Sequence, residues 1–341
     1  MSTIKDVAKR AGVSTATVSF VINGKAESRG IAPATRQRIM DAVAQLDYRP
    51  SQAARRLRST PANKPVFVLF WPLDSRASWL GMFLAAFQRA IVETEANCEL
   101  LIQTYRNGEI RSAYEGANSN AYSGLIIGAT STADMTYLER QTPRTPTVLI
   151  NRRSTRFSTV TVSAQAIAQA TIELLASGGV AQVGMVRTME TFLASQERME
   201  AVASACHAAG IEIAPDAVWT VENSYEGGIE AARRWQRQGG APRLLLCESD
   251  AIALGIEREA YRLGLNIPRD LQLIAIGSVD DNLARYALPT ITTVQLPSEA
   301  IARASMDLLL QATALTDPTE ALRPQHVEVA PLVCHAESFS V

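Results

Sequence analysis

The polar and apolar positions of the first fifty residues follow a helical period. Ile4, Val7, Ala8 and Ala11 recur on one face after Thr3-Ile4-Lys5-Asp6, where Thr3 can cap and an acid follows three residues on. Gly12 breaks the pattern with Val13 behind it, and Ser14 stands where a second helix would need a cap. The stripe of that helix is Val18, Val21 and Ile22. Two short helices on a tight glycine turn predict a helix-turn-helix. After a glycine-bearing loop at 23–31, a third helix is predicted from about Pro33 to Leu46. Pro33 is acceptable in its first turn, and Ile39, Val43 and Leu46 form its buried face.

From Lys64 the period changes. Short apolar runs at Val66–Phe70, Glu99–Tyr105, Gly124–Gly128, Thr147–Ile150, Gln182–Val186, Ala217–Val221, Arg243–Cys247 and Leu271–Ile276 predict strands. Between most of them lie amphipathic stretches such as Leu80–Ala96, Ala164–Ser177, Ala194–Ala209 and Ala251–Leu263. This alternation predicts an α/β body of parallel sheets with helices on both faces, with units enough for two lobes. The apolar run Val66–Trp71 is far too short to span a bilayer, so no membrane association is expected.

Composition narrows the partners. Residues 1–60 hold eleven Lys and Arg against four Asp and Glu, a net +7, while the remainder carries −8. A basic arm on an acidic body is the footprint of a polyanion partner. The second helix presents Thr15, Ala16, Thr17, Ser19 and Phe20, side chains that are small or hydroxyl-bearing apart from one aromatic. Small side chains let a helix enter a major groove, and hydroxyls reach phosphates or base edges. A helical bundle without nucleic-acid function is the competing and weaker reading. The stretch SQAARRLRS at 51–59 has one large apolar side chain, so as a helix it would be marginal without something to fold against.

Four scattered cysteines without a CxxC pair suggest buried thiols in a reducing cytoplasm, with no disulfide framework and no metal site. The charged start MSTIKDVAKR lacks an apolar core for a secretory signal. Three histidines, with no HExxH, GxSxG or Walker-type run, argue against an enzyme, and no cofactor is expected. A freestanding transport binding protein would need export and would not need a helix-turn-helix.

The segments TIKDVAKRAGVSTATVSFVINGK and TRQRIMDAVAQLDYRPSQAARRL closely resemble the DNA-binding headpiece of the lactose-repressor/galactose-repressor (LacI/GalR) family. SQERMEAVASACHAAGI, LLLCESDAIALGI and IGSVDDNLARYALPTITTV resemble its effector domain. The resemblance implies a helix-turn-helix headpiece at 1–49, a hinge at 50–60, and at 61–341 an effector-binding and dimerisation domain resembling a periplasmic binding protein. Lobe N would take about 62–162 and 293–325, and lobe C about 163–290 and 326–341, with three crossing segments between them.

It also implies a homodimeric repressor on a near-palindromic operator of double-stranded DNA, controlled by a small polar metabolite such as a sugar or sugar derivative. The implied DNA contacts are Ser14, Thr15, Ala16, Thr17, Ser19, Phe20 and Asn23, with Ala54, Arg55, Leu57 and Arg58 in the hinge. Ser51 would cap that hinge, Ala53 and Ala54 would let two copies pack, and Leu57 would wedge a base step from the minor groove. Arg55, Arg56 and Arg58 would face phosphates. Ligands of parallel sheets bind at strand carboxyl ends, which is where Asp74, Arg152 and Asp250 fall too. The effector candidates are Trp79, Asn151, Arg198, Asn223, Ser249 and Asp280. Trp79 fits a core position as well as a stacking platform, Arg198 could be a surface ion-pair partner, and Asp280 and Asp281 could cap a helix. Asp250 is read as a helix cap. Asn223, Ser249, Ser278 and the Ser163-Ala164 pair depart from the family pattern, so a common hexose is not to be assumed as the effector.

Overall fold

The computed structural model describes residues 4–22, 26, 29–46, 64–74, 77–118, 122–189, 193–277 and 281–340. Its chain forms two compact units, Met1–Lys64 and Pro65–Val341. The hinge residues Ala54, Arg55, Leu57 and Arg58, together with Asn23 and Asp280, lie outside the described residues.

In the first unit, helices α1 (Ile4–Ala11), α2 (Thr15–Ile22) and α3 (Pro33–Gln45) enclose a small core. Val7, Val18 and Ile39 are fully buried, and Val21, Ala8, Ala11, Ala26 and Ala42 nearly so. Gly12 ends α1 with φ +66°, a left-handed turn that a residue with Cβ takes at a cost. The next amide, Val13 N, returns to Ala8 O at 3.1 Å, closing the helix end. Arg10 ties α1 to α3 by donating to Gln45 Oε1 at 3.1 and 2.9 Å.

The second unit is two α/β lobes, each built on a six-stranded sheet. The first lobe's sheet, in spatial order, contains β11 (His326–Glu328), β5 (Ser158–Thr161), β4 (Thr147–Ile150), β3 (Gly124–Ile127), β1 (Val66–Pro72) and β2 (Glu99–Tyr105), all parallel. Helices α4 (Ala77–Glu93), α5 (Ile110–Ala117) and α6 (Thr132–Leu138) belong to this lobe. The second lobe's sheet contains β12 (Leu332–Cys334), β10 (Thr292–Gln295), β9 (Gln272–Ile276), β8 (Leu244–Cys247), β6 (Gln182–Thr188) and β7 (Glu212–Val221). Only β12 runs antiparallel there. Its helices are α7 (Ala164–Ser177), α8 (Leu193–Ala208), α9 (Tyr225–Arg237), α10 (Asp250–Arg262) and α11 (Asp281–Tyr286). The long helix α12 (Ser298–Ala314) returns to the first lobe, where Ile301, Met306 and Leu309 join the cluster of Phe67, Leu69, Trp71 and Phe87. A short α13 (Pro318–Ala321) follows.

The strands β1, β3, β4, β8 and β9 are almost wholly buried and β6 is buried through its middle, as parallel strands covered on both faces must be. The backbone crosses between sheets at 162–163, 296–297 and 329–331. Val162 and Leu296 touch the cores of both lobes.

Strand pairing shifts the expected lobe boundaries near the end of the chain. Residues 292–295, assigned in part to lobe N, form β10 beside β9 in the second sheet. Residues 326–328, assigned to lobe C, form β11 beside β5 in the first. Strands of three or four residues carry too little pattern to say which sheet they join, because pairing is decided by distant partners. The strand expected at 217–221 begins five residues earlier, at Glu212. Pro215 reads locally as a break, but β7 is an edge strand and its register shifts between Val183 and Met185 of β6.

Candidate functional site

The helix-turn-helix presents its second helix as expected at the start and less so beyond it. Ser14 caps α2: its Oγ accepts from Thr17 N at 3.1 Å and lies 2.9 Å from Thr17 Oγ1. Ser14, Thr15 and Ala16 are exposed, whereas Thr17, Ser19 and Phe20 are half-buried. Phe20 is partly covered because the Arg29 guanidinium stands 4.9 Å from its ring centroid, a cation–π contact. The open positions are therefore Thr15 and Ala16 at the helix N-terminus, with Phe20 beside a cation.

In the second unit a cavity of about 900 Å³ opens between the two lobes. Thr130, Asn151, Arg152 and Arg153, from strand ends of the first lobe, form one wall. Ala194, Glu197 and Arg198 of α8 form the other, with Val162 and Ser163 of a crossing segment at the back. A notch of about 50 Å³ adjoins it, lined by Trp71, Trp79, Phe83, Ile150 and Leu296, and shares Asn151, Arg152 and Arg198. Asn151 ends β4 in the left-handed region, φ +51°, and Ala129 after β3 has φ +53°. Such backbone in residues other than glycine is uncommon and clusters at functional sites. The turn at Asn151 is held by its own amide, which donates to Val160 O at 2.8 Å, and by its Oδ1, which accepts from Val162 N at 3.1 Å.

Arg198 is 9 % exposed, and its Nη2 donates to Ser195 Oγ at 3.0 Å. Burial pushes the guanidinium's pKa below its ordinary value, and the Glu248 carboxylate opposes that. Glu248 is itself held by Thr188, whose N and Oγ1 donate to it at 2.9 and 3.0 Å. Arg152 folds onto the backbone: Nε donates to Thr130 O at 3.0 Å, Nη2 donates to the same oxygen, and Nη1 donates to Asn151 O at 2.7 Å.

The structure brings Trp79, Asn151 and Arg198 together around the cleft. Trp79 lines the notch and also packs against the first lobe's core, as a core residue would. Asn223 and Ser249 line neither cavity; they meet each other, with Ser249 Oγ donating to Asn223 Oδ1 at 2.6 Å. The cap of α10 is Ser249, whose Oγ accepts from Ile252 N at 3.3 Å, and not Asp250 as expected. Asp250 is the first helical residue, fully buried, and accepts from Ala251 N at 2.8 Å. Thr130, Arg153, Glu139 and Glu197 were not singled out from the sequence. Thr130 follows β3 and Arg153 follows β4, so the strand-end rule alone would have found both.

Among the described residues no group of three or more His, Cys, Asp or Glu is placed to hold a metal ion, and no helix is long and apolar enough to cross a membrane. No disulfide joins the four cysteines, and burial raises the Cys206 thiol to about 11 and that of Cys247 further.

Comparison with known proteins agrees with this two-part arrangement. Residues 3–51 match the bacterial regulatory proteins of the lacI family, and residues 172–336 match the periplasmic binding protein-like domain. The ribose operon repressor of Haemophilus influenzae is 28 % identical over 331 residues, covering 95 % of each chain. The HTH-type transcriptional repressor PurR of Proteus mirabilis is 27 % identical over 317 residues, covering 91 % of this chain and 90 % of that one. Among solved structures, a LacI family transcription regulator from Clostridium acetobutylicum superposes with a TM-score of 0.71 at 25 % identity, over 80 % of this chain and 99 % of its own. The lac repressor dimer bound to operator superposes with a TM-score of 0.66 at 20 % identity, over 99 % of this chain and 98 % of its own.

Proposed function

We propose that this chain, which carries a lacI-family helix-turn-helix domain ahead of a periplasmic binding protein-like domain, is a ligand-responsive, sequence-specific transcriptional repressor. It acts in the cytoplasm as a homodimer on a near-palindromic operator, and a small polar metabolite controls it. The observation that carries this reading is the division of labour within one chain. One compact unit offers an exposed helix N-terminus suited to a major groove, and the other offers a cleft between lobes joined by three crossings.

Each proposed role follows from position. Thr15, Ala16 and Phe20 read base edges, Phe20 by apolar contact such as with a thymine methyl. Ser14, Thr17, Ser19 and Asn23 position the helix on the backbone, and the basic side chains of the first sixty residues supply the sequence-independent attraction. In the hinge, Leu57 wedges the minor groove while Ala54, Arg55 and Arg58 face the partner copy and the phosphates. Arg198, Asn151 and Trp79 hold the effector, and Asp280 completes its site from the second lobe, whereas Asn223 and Ser249 bond to each other outside both cavities. Closing the lobes on a ligand shifts the dimer between states of different operator affinity, by an amount set by the ligand's preference for one state. The relatives are repressors, and we group this chain with them rather than with enzymes.

Selection from random duplexes with the full chain tests the reading. The expected result is a near-palindromic consensus, with a Phe20→Arg variant returning a different half-site. A consensus without two-fold symmetry, or the same half-site for both proteins, would overturn it.

A further inference from the structure

We propose that Arg29, stacked on the ring of Phe20, is a further sequence-reading residue and takes a guanine of the operator in the major groove. The inference rests on the regulator reading above.

The second helix lacks a side chain for that task. Its eight residues, Thr15–Ile22, are TATVSFVI, with no Lys, Arg, Asn, Gln, Asp or Glu among them. Those are the side chains that pair most specifically with base edges: Arg or Lys with guanine, Asn or Gln with adenine, and acids with cytosine. Thr15 brings a hydroxyl, which serves donors and acceptors alike. Ala16 and Phe20 bring only apolar contact, which marks a thymine methyl. Read-out by this helix alone would be poor in hydrogen bonds.

Arg29 lies outside the helix in sequence but beside it in space. Its guanidinium carbon stands 4.9 Å from the Phe20 ring centroid. Ala16 and Phe20 are four residues apart, so they share one face of the helix, and Ala16 on that face is open. The cation therefore extends the face that carries the proposed base contacts. The backbone near Arg29 is anchored to the headpiece core. Ala26 is buried there, and Ile31 N donates back to Ala26 O at 2.9 Å. Gly30, with φ +64°, supplies the left-handed residue that follows Arg29.

Geometry decides what this side chain can do. A cation–π contact takes the flat face of the guanidinium and leaves its N–H edge for other partners. The ring thus narrows the directions of a long side chain without consuming a donor. Ordering it before binding lowers the cost of ordering it on DNA. Arg29 is exposed, and its planar pair of donors matches O6 and N7 of guanine. Ring and guanidinium touch each other, so they meet neighbouring base pairs: Phe20 a thymine methyl, and Arg29 the guanine next to it.

The experiment is selection from random duplexes with the full chain and its Arg29→Met and Phe20→Leu variants. Affinities for the parent's best operator and for a scrambled duplex follow, at one fixed salt concentration. The parent's half-site should hold a guanine beside the position that Phe20→Leu alters. Arg29→Met should erase that guanine, leave the other positions, and weaken operator binding roughly tenfold or more. Its loss on the scrambled duplex should be much smaller. Phe20→Leu should change its own position and weaken the neighbouring guanine too, because the ring that holds Arg29 is gone. The proposal is overturned if the parent's half-site has no such guanine, if Arg29→Met returns the parent's consensus, or if Phe20→Leu leaves the guanine as strong as before. Equal weakening of operator and scrambled duplex by Arg29→Met also overturns it, since that is the mark of a phosphate contact. A parent that selects no consensus sinks the regulator reading itself, whereas a consensus indifferent to Arg29→Met sinks only the role of Arg29.

Discussion

The hydroxyl of Ser249 donates to the side-chain oxygen of Asn223 across 2.6 Å, joining the carboxyl ends of β7 and β8. The same Oγ caps α10 by accepting from Ile252 N. Ser249→Ala should remove both contacts and lower stability by about 1 kcal/mol, the usual loss for a helix N-cap. Urea unfolding of the isolated second unit or of the full chain measures it. No change would mean that the cap is replaced by solvent.

Helices α9 and α10 cross with backbone against backbone at Gly228 and Gly255. A Cβ on Gly255 would lie 2.1 Å from Tyr225 O, and one on Gly228 would lie 2.1 Å from Ile252 O. Neither glycine has a positive φ, so the reason is contact and not conformation. Gly255→Ala should push the helices apart at a cost of about 3 kcal/mol, the upper part of the range for overpacking. Thermal unfolding with intact operator binding below the transition is the expected pattern.

Glu257 and Glu259, two residues apart on α10, titrate in opposite directions. Hydrogen bonds from Arg262 and Arg233, at 2.7 and 2.8 Å, hold Glu259 down at about 2. The native state therefore binds this proton less readily than the unfolded chain, whose Glu titrates near ~4.3. Its contribution to stability is full above that value and lost as pH falls toward 2. Burial instead raises Glu257 to about 7, against a backbone hydrogen bond from Leu288. Here the native state holds its proton more tightly, so stability falls as pH rises from about 4.3 through 7. Glu257→Gln should raise the urea midpoint at pH 8, and Glu259→Gln should flatten the loss below pH 4. A pH series of urea midpoints gives both results, and the opposite slopes would refute the assignment.

Among the described residues the first unit buries few large side chains, Val7, Val18 and Ile39 among them. Ile39→Ala should cost about 2–5 kcal/mol, comparable with the whole stability of so small a domain. The variant should lose operator binding, yet its ligand response in melting should match the parent's, because the second unit has its own core. Loss of both responses would show that the units do not fold independently.

Sequence pattern revealed most of this architecture where the signal was local. The second helix of the headpiece was legible because Ser14, Val18 and Val21 act within one turn or two of each other. The strands β2 and β4 and the helix α7 were placed to the residue, since a buried run or an amphipathic stripe needs no distant information. What stayed hidden depends on partners far along the chain. Nothing near His326 says that Val327 will pair with Val160, and nothing near Phe20 says that Arg29 will cover its ring. The cleft was half legible for the same reason. Asn151 and Arg198 follow from strand ends and motif, but the unpartnered hydroxyl of Thr130 exists only once the lobes are packed.

The three crossings also set an order in time. Residues that complete the DNA-reading unit are all made by position 64, whereas the first lobe waits for β11 at 326–328 and the second for Ser338 and Phe339, which seal its core. At ~5–20 residues per second of synthesis, the gap is on the order of 10–50 s. Each nascent molecule thus completes its basic helix-turn-helix unit well before it completes its cleft. A helix-turn-helix unit on its own holds DNA mainly by charge. The late closure of the lobes then makes completion of the chain the step that turns a weak, unregulated binder into a regulated one.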